Sequence, residues 1–203
     1  MRLEEGLAIL GLDMAESAVG KLLAHAALIE KWNKVYNLTA IRDRDRIVSH
    51  HLLDSLAVLP HIEAARCADV GSGAGFPGIP LAIAKPDWEM VLVESNQKKA
   101  TFLRQAAIEL GLSNVSVFAD RVESLEESFD LVISRAFSEM GEFVRLSGHL
   151  VGRGGHLAAM KGQYPEQELS RLPSGVEVEK VIPLNVPGLE GERHLVIMSM
   201  ETD

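Results

Sequence analysis

Asp69-Val70-Gly71-Ser72-Gly73-Ala74-Gly75-Phe76-Pro77-Gly78 is the stretch of sequence that decides the fold. It follows a short apolar run at residues 67–70 and precedes an apolar segment at 79–84, so the pattern predicts a strand, a tight glycine turn and a helix start. Glycines at alternate positions clear every Cβ from one side of the turn, which lets a ligand lie directly on backbone N–H groups. We therefore expect this turn to be a cradle for a nucleotide-bearing cofactor.

The spacing of the glycines separates two kinds of cofactor. A dinucleotide fingerprint, G-x-G-x-x-G, needs its third glycine at position 76, where this chain has Phe76. Gly71, Gly73 and Gly75 instead give G-x-G-x-G, the form seen in methyltransferases that use S-adenosyl-L-methionine. Glu94 closes the next apolar run, and its carboxylate can accept both hydroxyls of a ribose. The turn and the acid together favour a nucleoside cofactor over a purely structural turn.

Composition limits the partners and the location of the chain. The 203 residues are enough for one α/β domain with a small appendage, and no apolar run approaches the ~20 residues of a membrane span. Residues 1–5 carry two acids where a signal peptide is basic, and Cys67 has no second cysteine to pair with, so we expect a cytoplasmic protein with no membrane partner. The net charge of −9 argues against nucleic acid unless a local basic face overcomes it. Candidates for that face are Lys31, Lys34, Arg42, Arg44, Arg46, Lys98, Lys99 and Arg104.

Periodicity predicts helices first and an alternating α/β pattern afterwards. Helices are expected at residues 2–12, 14–36 and 44–59, with Pro60 ending the third. Further on, strands are expected at 65–70, 88–94, 115–119, 129–134 and 155–161, with helices at 78–84, 97–110 and 140–150, and an antiparallel pair at 176–182 and 194–200. The expected fold is an α/β, Rossmann-like sheet of the class I S-adenosylmethionine-dependent methyltransferase type. It has about seven strands, mostly parallel with one antiparallel strand, with an N-terminal helical cap (1–62) on a core (63–203).

Ligands of such sheets bind beyond the carboxyl ends of the central strands, which selects four stretches. Asp69 and the glycine turn are expected at the methionine part of the cofactor, and Glu94 at its ribose. Residues 120–123, which include Val122 and Glu123, are expected beside the adenine. Residues 134–137 follow the fourth predicted strand, where cofactor and substrate are expected to meet.

Arg135 is the most informative residue of the fourth stretch. Its guanidinium can clamp the cofactor carboxylate or a substrate phosphate by paired hydrogen bonds, or it can form a salt bridge to Glu139 or Asp130. Phe137 can stack on a purine, although a core position is the commoner role for phenylalanine.

The sequence lacks residues that some methylation reactions require, which limits the possible target atoms. Methylation at carbon 5 of a pyrimidine needs a nucleophilic cysteine, and Cys67 lies inside the first predicted strand. Methylation of an exocyclic amine usually involves a Pro-Pro-aromatic motif where this chain has Arg135-Ala136. N7 of guanine carries a free lone pair and no proton, so its methylation needs alignment and no general base.

Two weaker groups of residues remain. His50, His51 and Asp54 lie close on one predicted helix and could supply two metal ligands, but no third ligand is apparent, and capping and packing explain them better than a metal does. Lys161, Arg193 and His194 lie at strand ends, where they either contact the substrate or are solvated.

Six stretches of the chain resemble the glucose-inhibited division protein B family of bacterial 16S rRNA guanine-N7 methyltransferases. They are residues 31–39 (KWNKVYNLT), 51–55 (HLLDS), 69–78 (DVGSGAGFPG), 133–137 (ISRAF), 157–162 (LAAMKG) and 191–195 (GERHL), and they extend nearly from end to end. The resemblance implies methyl transfer from S-adenosyl-L-methionine to N7 of guanine 527 in the 530 loop of 16S rRNA.

The resemblance also assigns partners and cofactor contacts. It implies that the partner is 16S rRNA, in the 30S subunit or an assembly intermediate, and we expect the protein to be a monomer without a metal. The family's cofactor contacts fall on Gly71, Phe76, the Val122-Glu123 pair and Arg135. Family members often have Pro at the position of Ala74 and Leu at that of Phe76, and the bulkier Phe76 changes the apolar wall of the site.

Three other functions stay open at this point. A nicotinamide-dependent oxidoreductase would bind NADH, and Phe76 counts against it. A non-catalytic RNA-binding module would bind RNA and leave no methyl group. A methyltransferase for a small molecule is mildly favoured by the acidic charge.

Overall fold

The sheet of this protein has seven strands in the described part of the chain. The computed structural model describes residues 2–135 and 139–201. Its strands are β1 (Arg66–Val70), β2 (Glu89–Val93), β3 (Val115–Phe118), β4 (Phe129–Arg135), β5 (Val151–Lys161), β6 (Val176–Pro183) and β7 (His194–Met200). They form one sheet in the order β3-β2-β1-β4-β5-β7-β6.

The direction of the strands confirms the predicted fold class. β1 to β5 pair in parallel, whereas β7 lies between β5 and β6 and runs antiparallel to both. β7 is therefore the one antiparallel strand of the described sheet. Its register places His194 opposite Lys161, at the carboxyl end of β5.

Eight α-helices surround the sheet in residues 2–135 and 139–201, and one predicted helix was wrong. The helices are α1 (Leu3–Ile9), α2 (Glu16–Tyr36), α3 (Arg44–Ile47), α4 (Asp54–Leu56), α5 (Gly78–Ala84), α6 (Gln97–Glu109), α7 (Met140–Ser147) and α8 (Glu166–Leu169). The single helix expected at 44–59 is α3 and α4 joined by a π-helix, Val48–Leu53, and followed by a 3₁₀ turn, Leu59–His61. Helix α8 and the 3₁₀ turn Val122–Ser124 were not predicted.

Two hydrophobic clusters cover the two faces of the sheet. Successive strand residues alternate between them, as Leu131 and Ile133 belong to one cluster and Val132 to the other. The larger cluster joins residues of α1, α2 and the π-helix to residues of α5 and α6, while the smaller contains Phe143 of α7. Burial on both faces explains why the central strands are continuously apolar. The boundary between a cap (1–62) and a core (63–203) stays a prediction.

None of the helices within the described residues combines the length and the apolarity that a membrane crossing requires.

Candidate functional site

The glycine loop connects β1 to α5 and exposes bare backbone at two of its three glycines. Gly71, Gly73 and Gly75 have φ angles of +73°, +59° and +89°. A Cβ built on Gly71 meets nothing within 4 Å, and one built on Gly73 meets only the Gly71 carbonyl oxygen, at 3.8 Å. A Cβ on Gly75 would lie 2.5 Å from Ile79 Cδ1. The expectation that all three glycines clear the open side was therefore wrong for Gly75, because that position faces α5.

Glu94 holds the glycine loop against the end of β2. One carboxylate oxygen accepts a hydrogen bond from the Gly73 N–H at 2.9 Å, and the other accepts from the Asn96 N–H at 2.8 Å. The residue is 8% exposed. Two backbone donors on a buried carboxylate fix its position, and its oxygens keep further lone pairs for a ligand hydroxyl.

A first cavity of about 220 Å³ lies beside this carboxylate. Four of the predicted cofactor residues line it, namely Gly71, Glu94, Val122 and Glu123. Arg121 pairs with Glu123 at 2.7 Å on the exposed rim. The carboxyl ends of β1, β2 and β3 thus bring together residues that are far apart in the sequence.

Asp69 lies under the loop with one of its oxygens unsatisfied. Its Oδ2 accepts from the Gly78 N–H at 2.9 Å, at the start of α5, while Oδ1 has no hydrogen-bond partner among the described residues. Burial raises the pKa of Asp69 to about 7, against the opposing effect of the Gly78 hydrogen bond. The carboxyl group is therefore partly protonated near neutral pH.

Phe76 is a buried support for the site. Its ring stacks on His51 at 4.6 Å and lies 4.9 Å from the ring of His25, and the Arg135 Cζ lies 4.9 Å from its centroid. Because the residue is 3% exposed, its side chain packs inside the protein and carries the guanidinium on its face. Neither Phe76 nor Gly73 lines the first cavity.

Arg135 lines a second cavity, of about 360 Å³. Lys161 and Arg193 line the same cavity, together with His50, His51 and Asp54. The Ser134 hydroxyl donates to the Val70 carbonyl at 2.7 Å, so the end of β4 lies directly beside the start of the glycine loop. This bond joins Val70, which lines the first cavity, to the residue that precedes Arg135, which lines the second, so both cavities lie at the carboxyl ends of adjacent strands.

The Arg135 guanidinium is held from three directions. Nη1 donates to Asp54 Oδ2 at 3.1 Å and to the His50 carbonyl at 3.2 Å, and Nη2 donates to His51 Nδ1 at 3.1 Å. Burial lowers the pKa of Arg135, and the charge of Asp54 opposes that shift. The salt bridge that was considered at Glu139 or Asp130 is therefore made with Asp54, 81 residues away in sequence.

His51 is a neutral link in this network. Since Arg135 donates to its Nδ1, the proton is assigned to Nε2, which donates to Thr39 Oγ1 at 2.8 Å. Asn33 clamps Thr39 through two hydrogen bonds, of 2.9 and 3.0 Å. Burial and the neighbouring Arg135 charge lower the pKa of His51 to about 3.

Asp54 also binds Arg193, whose Nε donates to Oδ1 at 3.1 Å. Lys161 forms an ion pair of 2.6 Å with Glu168 of α8, and Glu168 accepts from the Met140 N–H at 2.7 Å. His194 does not line the cavity, because its Nδ1 is bonded to the Gly162 carbonyl at 3.0 Å and its ring meets Tyr164 edge-on.

The structure adds residues that sequence reasoning did not assign to the site. Asn33, Thr39, His51 and Asp54 converge on Arg135, and they come from stretches 31–39 and 51–55, whose matched motifs were the only available signal. No group of three or more His, Cys, Asp or Glu side chains within residues 2–135 and 139–201 is arranged to hold a metal. The expectations for Ala136 and Phe137 lie outside the described residues.

The chain is similar to known proteins in sequence and in structure. A family model described as GidB, rRNA small subunit methyltransferase G, matches residues 18–196. A ribosomal RNA small subunit methyltransferase G of Nitrosospira multiformis is 53% identical over 206 residues, covering 97% of this chain and 95% of that protein. Its counterpart in Chromobacterium violaceum is 54% identical over 202 residues, covering 98% and 97%.

The solved structures share the fold at low identity. The O-methyltransferase TomG of Streptomyces achromogenes, solved in complex with S-adenosylmethionine, superposes with a TM-score of 0.60 at 19% identity, covering 100% of both chains. At that identity the likeness establishes the architecture, which is that of methyltransferases.

Proposed function

This chain belongs to the GidB family, rRNA small subunit methyltransferase G, whose methyl donor is S-adenosyl-L-methionine, and from that premise we propose its target atom and mechanism. The target is N7 of guanine 527 in the 530 loop of 16S rRNA. The protein acts in the cytoplasm, as a monomer, on the 30S subunit or an assembly intermediate.

The first cavity and the glycine loop beside it fit the methyl donor. Gly71 and Gly73 leave backbone open where a Cβ would stand, and Glu94 is a fixed carboxylate at the end of β2. We assign the methionine part to the glycine loop, the ribose to Glu94 and the adenine to Val122 and Glu123. When bound, S-adenosyl-L-methionine supplies a methyl group on a positively charged sulfur.

The second cavity fits an anionic substrate. Three cationic side chains, Arg135, Lys161 and Arg193, line it in a chain whose net charge is −9. A groove of about 380 Å³ shares Ile41 with this cavity, and its lining adds two cations, Lys34 and Arg42, against one acid, Glu30. Local positive charge of this kind attracts RNA phosphates despite an acidic total charge.

Positioning supplies the catalysis in this proposal. Guanine N7 presents a lone pair and no proton, so the protein has to orient the base and needs no proton acceptor. His51 supports this view, because both of its ring nitrogens are engaged in hydrogen bonds. Arg135 is the candidate residue that orients the methyl donor toward the base, since it lies at the end of β4 beside the glycine loop.

The adjacency of the two cavities is the observation that carries the proposal. The Ser134–Val70 hydrogen bond joins the strand that ends in Arg135 to the strand that leads into the glycine loop. A donor on the loop and a nucleotide held by the basic side chains would therefore meet at one edge of the sheet.

Transfer of labelled methyl groups tests the proposal. The substrates are 30S subunits and naked 16S rRNA from a strain that lacks the enzyme, with the modified base mapped by borohydride and aniline cleavage, and 30S subunits with guanine 527 replaced by adenine are the matched control. We expect label at N7 of guanine 527 and none in the control. Binding of RNA without transfer would favour a non-catalytic module, and transfer to neither RNA substrate would favour a small-molecule methyltransferase.

A further inference from the structure

The Asp54 carboxylate joins two arginines that come from distant parts of the chain. Its Oδ2 accepts from Arg135 and its Oδ1 from Arg193, each at 3.1 Å. The Asp54 side chain is 4% exposed, and those of the arginines are 18% and 28% exposed. Charge-assisted hydrogen bonds at such buried positions are stronger and more directional than surface ion pairs.

No other carboxylate among the described residues lines the second cavity. The third cation of the cavity, Lys161, pairs with Glu168, which does not line it. Without Asp54, two guanidinium groups would face each other with no anion between them, and like charges in a desolvated site repel strongly. Asp54 is therefore the one charged partner that the two arginines share in this cavity, beside the neutral contacts of Arg135 with His50 and His51 and of Arg193 with the Glu192 carbonyl.

Asp54 leaves both arginines with hydrogen-bond donors to spare. Each arginine spends a single nitrogen on the carboxylate, although a guanidinium has five N–H donors. Arg193 uses Nε for Asp54 and Nη1 for the Glu192 carbonyl, and its Nη2 makes no hydrogen bond to the described residues. That nitrogen is available for a phosphate oxygen.

We propose that Asp54 is a positioning residue that holds a cofactor-side arginine, Arg135, and an RNA-phosphate-side arginine, Arg193, at a fixed separation. The inference rests on the proposed function, in which the first arginine orients the donor and the second binds the substrate backbone. Asp54 touches neither reactant, and its loss weakens the binding of both.

Asp54→Asn is the first variant of the test. Its carbonyl oxygen takes the place of only one of the two carboxylate oxygens, so one arginine keeps its acceptor while the NH₂ group faces the other. We expect the Kd for S-adenosylhomocysteine and the KM for 30S subunits each to rise roughly ten- to a hundredfold, the loss that accompanies a broken charge-assisted hydrogen bond. Calorimetry measures the first constant and methyl transfer the second.

Arg193→Gln separates the two halves of the proposal. Because Asp54 still holds Arg135 in this variant, the KM for 30S subunits rises by a similar factor while the Kd for S-adenosylhomocysteine stays within about twofold. The double variant has a KM close to that of Asp54→Asn alone, since residues that act through one contact are not additive.

Asp130→Asn serves as the control for carboxylate loss. Asp130 accepts from the N–H groups of Ala65 and Arg66 at the opposite end of the sheet, so its loss lowers the melting temperature and leaves both constants unchanged. Circular dichroism establishes that each variant is folded.

Three results overturn the proposal. They are unchanged constants in folded Asp54→Asn, an unchanged KM in Arg193→Gln, and fully additive effects in the double variant. If Asp54→Asn does not fold, the KM of Arg193→Gln for 30S subunits tests the proposal on its own. A wild-type protein that methylates no RNA refutes the proposed function instead, and S-adenosylhomocysteine binding still tests the cofactor half.

Discussion

Gly73→Ala adds one methyl group to the open side of the glycine loop. With φ at +59°, Gly73 adopts a left-handed conformation that costs an L-residue ~1–2 kcal/mol. The new Cβ has only the Gly71 carbonyl oxygen within 4 Å, at 3.8 Å, so no clash inside the protein adds to that strain. We expect the melting temperature to fall by about 2–8 °C. Because the methyl group stands where we place the donor, affinity for S-adenosylhomocysteine falls roughly five- to a hundredfold.

Gly111→Ala is a matched control for backbone strain. Gly111 follows α6 with φ at +60°, a Cβ there meets nothing within 4 Å, and the residue lines neither cavity. The stability loss therefore equals that of Gly73→Ala, while affinity is unchanged. Gly75→Ala is the opposite case, because its Cβ would lie 2.5 Å from Ile79 Cδ1, and overpacking adds about 1–3 kcal/mol to the strain.

Thermal unfolding followed by circular dichroism and calorimetric titration with S-adenosylhomocysteine measure the two effects. If the Gly73 variant binds as tightly as the Gly111 variant, the donor does not lie on this side of the loop. If the Gly111 variant also loses affinity, the lower affinity of both variants follows from reduced stability and not from a contact with the methyl donor. The assignment of the methyl donor to the glycine loop then fails.

Three further changes test the surroundings of the loop. Glu94→Gln replaces an acceptor with an amide group beside the N–H of Gly73 or Asn96, so the unfolding free energy falls by about 1–3 kcal/mol and donor affinity falls with it; unchanged affinity in calorimetry would move the ribose elsewhere. Burial raises the pKa of Asp69 from 3.8 to about 7. The unfolding free energy of the wild type therefore falls by up to about 4 kcal/mol as the pH rises between these two pKa values, whereas that of Asp69→Asn does not. In urea unfolding, the unfolding free energy of the wild type minus that of the variant therefore declines from about pH 4 to about pH 7. A constant difference would contradict the raised pKa of Asp69. Cys67→Ala removes a fully buried thiol whose pKa burial raises, so methyl transfer stays within about twofold while the unfolding free energy falls by about 1 kcal/mol; loss of transfer in the folded variant would restore a nucleophilic role.

Local pattern was sufficient for the sheet and for the glycine loop. Alternating strand and helix segments predicted the parallel strands, and the strand-end rule placed Gly71, Glu94, Val122 and Glu123, which the structure brings to one cavity. These features depend on hydrophobic period and on short-range geometry, which adjacent residues encode.

The helix predicted at 44–59 shows where local pattern failed. Its apolar positions fit an α-helical period, yet Val48–Leu53 is a π-helix. The Arg135 Nη1 donates to the His50 carbonyl inside this segment, and a side chain that inserts into a helix changes its hydrogen-bond ladder. The periodicity of the segment cannot predict the π-helix, because the hydrogen-bond donor, Arg135, comes from β4.

The sequence by itself determined the α/β sheet, the glycine loop and, through its motifs, the family. Only the tertiary structure decided which side chains share the second cavity and that Asp54 joins Arg135 to Arg193, across 81 and 139 residues of sequence. The physical reason is that strands and turns arise from interactions between near neighbours, whereas a buried charge acquires its partners only when the folded chain excludes water around it.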